Sequence, residues 1–252
     1  MYIQLRRGLI ASDQVAATIF AVEMAELVEQ TTGHAVSVWG SVYGMPLGTI
    51  SWTSQVAGFV DAAAQSQKLA ENPEWLTRVS KAGEQGLFIP GSWEDGLARV
   101  IHAAGDAGPM MYASTTMGTP APGMAMQALE WGTQMADHVA SATGNQVTLC
   151  TSNYGNATGS MIFFMGFDSA ESVDATQPTL KELLALDSQF NPALHTVTAI
   201  LNHWSRTTIC RQLDALRAQT APPTHIWVCL FNSPRAEGIA EAVAAYNDSR
   251  VS

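Results

Sequence analysis

Between Val36 and Tyr43, apolar and polar positions alternate: Val36, Val38 and Val42 fall on one face, Ser37, Trp39, Ser41 and Tyr43 on the other. A period of two over eight residues predicts a strand with one face on a core. Gly44-Met45-Pro46-Leu47-Gly48 then reverses the chain into a second strand over 49–54, so the stretch predicts a hairpin. The same pattern recurs 111 residues further on. VSVWGSVYGMPLGTISW (36–52) aligns without gaps on VTLCTSNYGNATGSMIF (147–163), with Tyr43-Gly44 on Tyr154-Gly155, Gly48 on Gly159 and Trp52 on Phe163. Upstream, the same offset sets Met24-Ala25 on Met135-Ala136 and Gly33 on Gly144. The reading is an internal duplication of a unit of roughly 100 residues.

Each copy predicts the same elements. A short strand spans 2–10. Ser12 offers an N-cap, with Asp13 in the first turn, for a helix that ends at Gly33. Phe20, Met24, Leu27 and Val28 recur at helical spacing as its buried stripe, and the second copy supplies Trp131, Met135, His138 and Val139. After the hairpin, a helical region over 56–82 breaks near Asn72-Pro73, where proline suits a first turn, and 93–103 predicts a fourth strand. This β-α-β-β-α-β order is that of the ferredoxin-like split unit. Residues 105–109 read as a linker. The second unit runs through a strand at 110–116, a helix at 123–143, its hairpin, a helix near 178–188 and a strand around 194–204. The predicted organisation is therefore one ferredoxin-like unit at 1–104, a second at 109–205, and a C-terminal helix-strand-helix extension at 206–252 without a counterpart in the repeats. The fold class is α+β, with the bare faces of the two sheets packed on each other as a barrel.

Composition narrows the function classes. The chain has 252 residues, 47% hydrophobic and 13% charged, with a net charge of −10 and no run of Lys or Arg. Concentrated positive charge is what nucleic acids and anionic membranes require, so neither is an expected partner. No stretch reaches the roughly 18 apolar residues of a membrane span. Cys150, Cys210 and Cys229 have no CxxC spacing and read as reduced thiols, which fits a cytoplasmic protein.

One segment carries a resemblance. The first hairpin followed by LAENPEWLTRVSKAG, with Asn72-Pro73-Glu74-Trp75 leading to Val79, resembles the dimeric α+β barrel superfamily, which includes NIPSNAP, antibiotic-biosynthesis-monooxygenase and chlorite-dismutase-like families. The likeness covers residues 1 to about 205; in the second copy SQFNPALH replaces the NPE segment. It implies that one chain closes the barrel that relatives close by dimerising. It also implies a monooxygenase-like enzyme acting on a small, mostly apolar molecule between the sheets, with no cofactor expected. The chlorite-dismutase branch offers a haem protein as the alternative, with His195 or His203 as axial ligand. A non-catalytic ligand-binding or assembly protein is the third reading.

With the valine faces under helices, the opposite faces point inward. They bring Trp39, Ser41 and Tyr43 towards Cys150, Ser152 and Tyr154, joined by Gln4 and Arg6 from the first strand, and Trp52 completes the expected ligand-binding set. In the enzyme reading Tyr43, Tyr154, Trp39 and Arg6 position the substrate, and His203, with Tyr154, handles the proton. The competing account of each residue is core filling, with tyrosine hydroxyls paired to backbone. His102 and His203 both fall near the ends of fourth strands, where an imidazole can act as acid, base or axial ligand. His138 reads as half-buried packing. No HExxH, GxSxG, GxGxxG or phosphate-loop lysine occurs, which removes a multi-histidine metal centre, a serine triad and a phosphate cradle. Asp61 and Asp174 read as helix-start carboxylates. The apolar segment 225–231 calls for cover by this chain or a second copy, which favours a homo-oligomer.

Overall fold

In the computed structural model, residues 1–156 and 159–176 and the backbone of 197–204 are described. The predicted helix at 178–188, His195, Cys210, Cys229 and the extension at 206–252 lie outside the described residues. Met1–Arg206 forms one compact unit. Its elements are β1 (Tyr2–Leu9), α1 (Gln14–Thr32), β2 (Val36–Tyr43), β3 (Thr49–Val56), α2 (Phe59–Ala70), α3 (Pro73–Glu84), β4 (Glu94–Ala104), β5 (Tyr112–Gly118), α4 (Ala125–Thr143), β6 (Val147–Tyr154), β7 (Met161–Phe167) and β8 (Val197–Trp204).

The caps explain where the helices begin and stop. Asp13, not Ser12, caps α1: its side chain accepts from the Ala16 N–H at 2.9 Å. A carboxylate also suits the positive helix end. Gly33 stops α1 at φ 81°, its N–H bonding to Glu29 O, and Gly144 stops α4 at φ 72°, bonding to Ala140 O. Asn72 caps α3 through the N–H groups of Glu74 and Trp75, with Pro73 in the first turn.

Eight antiparallel strands close into a barrel in the order β1-β3-β2-β8-β5-β7-β6-β4. Each half contributes four neighbours in one order, β4-β1-β3-β2 and β8-β5-β7-β6, and two seams join the halves, β2 to β8 and β4 to β6. Helices lie on the outer face. Trp52 Nε1 on β3 donates to Ala21 O of α1 at 2.9 Å, which fixes the outward side of β3. On the other half, Ala136, Val139 and Ala140 of α4 pack on Val147, Met165 and Phe167. Burying Phe167 and Leu149, each under 2% exposed, stabilises this contact by about 1.5–3 kcal/mol apiece. Gly132 lets α4 approach closely, because a Cβ there would collide with Met161.

Candidate functional site: the barrel interior

Two contacts settle which side chains face inward. Val38 pairs with Trp52, which faces α1, so Trp39 points the other way; Trp39 accordingly packs on Ala113 of β5, two strands along the barrel wall. Cys150 of β6 likewise clusters with Ala98, Ile162, Ile3, Met117 and Phe164, drawn from four other strands. Residues paired directly across a ladder share a face. Leu5 therefore joins Ile3 inside, opposite Thr53, and Trp39 joins Ser51.

The inward side chains differ in burial. Cys150, Ile162, Trp39 and Ser51 are buried. Leu5, Thr53, Thr115 and Phe164 face inward from mid-strand yet retain accessible surface. An eight-stranded barrel is just wide enough to be filled by its own side chains or to hold one small ligand. The wall is also two-toned. The β2–β3 side presents Ser37, Ser51, Thr53 and the Trp39 indole, whose Nε1 donates to Thr53 Oγ1 at 2.8 Å. The opposite side is the apolar arc around Cys150, Met117 and Phe164. Arg7 and Glu94 sit on the same inward register near one end and bind each other through Arg7 Nε and Glu94 Oε2 at 2.6 Å. Burial pushes the Cys150 thiol up to about 12, so it stays protonated at neutral pH and serves as packing.

Several expected site residues lie elsewhere. Trp52 faces outward under α1, stacked against Trp93 with ring centroids 5.9 Å apart, and does not line the interior. Arg6 and Gln4 alternate with the inward Ile3 and Leu5, so they point out. Arg6 is held by Asp95 in a bidentate pair at 2.6 and 2.9 Å, which raises its pKa above the ordinary guanidinium value. Tyr154 is on the rim, 58% exposed, its ring 5.8 Å from Phe59 at the start of α2. Tyr43, at the equivalent position, is 41% exposed. Both follow a register shift, between Ser41 and Tyr43 against β8 and between Leu97 and Ala98 against β6. Such bulges turn the next side chain off the alternating face. Trp39 and Cys150 are where alternation puts them. The Trp39–Thr53 bond and the hydroxyls of β3 are additions to the expected set, although Thr49, Ser51 and Thr53 form a visible alternate row.

The histidines bear on the haem alternative, which needs an imidazole inside the barrel. Among the described side chains none is there. His34 meets Asp61 at 3.3 Å; His102 bonds Asp137 of α4 at 2.7 Å on the outer face; His138 is exposed on α4 rather than half-buried. His203 is opposite Trp39 in the β2–β8 ladder. No group of three potential metal ligands occurs among the described residues. The described helices include none long and apolar enough to cross a membrane.

No protein-family pattern matches the chain. No curated protein sequence matches it either. Solved structures do. A candidate monooxygenase from Fusobacterium nucleatum superposes with a TM-score of 0.57 at 11% identity, over 81% of this chain and 92% of that one. An anthrone oxidase-like protein gives 0.56 at 14% identity, over 81% and 91%. A mutant chlorite dismutase from Candidatus Nitrospira defluvii gives 0.53 at 13% identity, over 84% and 93%. What these proteins share with this chain is the fold. One fold can serve chemistries that differ.

Proposed function

We propose that this chain is a tandem fusion of two ferredoxin-like units whose shared barrel binds a small, mostly apolar molecule and oxidises it in the manner of a monooxygenase. The fusion is supported by the common strand order, by two first helices of 19 residues each, and by left-handed glycines at 33 and 144, 44 and 155, 48 and 159. The site reading rests on one observation: mid-strand residues facing into a closed barrel remain accessible. Neighbours described as a candidate monooxygenase and as anthrone oxidase-like suggest the reaction class. In such a reaction, dioxygen delivers one oxygen atom to an activated CH2 beside a ring, giving a carbonyl, and the other leaves as water with the two hydrogens. The protein's part is to exclude bulk water, hold the ring against the apolar arc and move a proton. His203, next to Trp39 in the ladder, is the residue we assign to that proton.

The test is oxygen uptake on adding anthrone to the purified protein, with an absorption spectrum taken first. Uptake of one dioxygen per anthraquinone formed, lost in His203→Gln, supports the reading. A Soret band in the purified protein would favour the haem protein instead. Absence of both uptake and any ligand in an organic extract analysed by mass spectrometry would leave a filled structural barrel.

A further inference from the structure

Resting on the reading of the interior as a ligand site, we propose that Thr53 is its specificity-determining donor, and that it selects an uncharged, flat, apolar molecule carrying a carbonyl-type oxygen. Thr53 faces inward opposite Leu5 and keeps accessible surface. Its oxygen already accepts from Trp39 Nε1 at 2.8 Å. That contact occupies a lone pair, fixes the hydroxyl's orientation and polarises it as a donor. The hydroxyl proton meets no acceptor among the described residues, so it is presented to whatever enters the barrel. A donor held in this way matches a ligand oxygen that accepts.

The described remainder of the wall offers no unpaired Lys or Arg. Arg7 and Glu94 are the ionised pair on the described inward register, and they bond to each other. The facing arc of Ile3, Val100, Met117, Ile162 and Phe164 offers only hydrocarbon and thioether surface. A carboxylate in that space would lose its hydration with no unpaired Lys or Arg among the described wall residues to replace it. A second observation points the same way: the Thr115 hydroxyl on β5, also on the inward face, is buried without a hydrogen-bond partner. The interior thus holds neutral hydrogen-bonding capacity that its own side chains leave unsatisfied, which suits a polar oxygen on an otherwise apolar guest.

The test compares 1-acetonaphthone, which has the acceptor oxygen, with 1-ethylnaphthalene, which has the same shape without it, and with 1-naphthoate, which is charged. Kd values come from equilibrium dialysis with the full chain. In the wild type the ketone should bind about 5-fold tighter than the hydrocarbon, as one net hydrogen bond gives, and the naphthoate should bind weakest. Thr53→Val should bring the ketone-to-hydrocarbon ratio to about one, whereas Thr53→Ser should keep it. If Thr53→Val does not fold, Trp39→Phe serves: with the orienting N–H gone, the ratio should fall while the hydrocarbon still binds. A ratio unchanged in these variants would overturn the role of Thr53 and leave the pocket standing. Binding of neither neutral probe would overturn both.

Discussion

Tyr154 shows how far one side chain can be moved by its neighbours. Its hydroxyl is outside the barrel and its ring rests on Phe59, so Tyr154→Phe should leave the affinity for 1-acetonaphthone within about 2-fold of wild type. A loss of 10-fold or more would return Tyr154 to the site. Cys150 makes the opposite case. It is fully buried among Ala98 and Ile162, and its thiol is raised to about 12. The thiolate is the nucleophile, so iodoacetamide at pH 8 should leave Cys150 unmodified in the native protein and label it after denaturation, as read by peptide mass spectrometry. Gly144 sits at φ 72° with open space where a Cβ would stand, so only backbone strain opposes a side chain there. Gly144→Ala should lower stability by about 1 kcal/mol in urea unfolding, and unchanged stability would refute the left-handed stop.

At the scale of elements, hairpins, helices and helix stops are legible in the sequence because each depends on local chemistry. The Asn72-Pro73 break, the Gly33 and Gly144 stops and the β2–β3 hairpin all stand where the pattern puts them. Facing is harder to read. On β1 both sides are covered, by the interior on Ile3 and Leu5 and by α2 around Tyr2, so polarity does not mark the inward side and the pattern aims Arg6 the wrong way. On β2 and β6 an irregular register breaks the alternation before Tyr43 and Tyr154, and a period of two cannot foresee that. The β6 bulge has its own test. Gly155 follows it at φ 95°, where a Cβ would collide with the Asp95 carbonyl and the Gly96 Cα of β4. Gly155→Ala should therefore cost about 1–3 kcal/mol, more than Gly144→Ala, because strain and backbone overlap combine. Equal effects in the two variants would mean that β4 yields easily at this seam.

For the whole molecule, the strand ladder is closed. Every one of the eight strands pairs on both sides, so the barrel has no free edge strand. Light scattering on the full chain and on a variant lacking 221–252 reports whether that segment contributes to a homo-oligomer. The proposed function requires a barrel that is hollow and lined for an apolar guest. Crystallography under xenon pressure tests it most directly, since xenon occupies apolar cavities without needing a specific chemistry. Xenon density is expected inside the barrel, in contact with Leu5, Met117 and Phe164. A barrel interior free of xenon, with those side chains interdigitated across the axis, would contradict it.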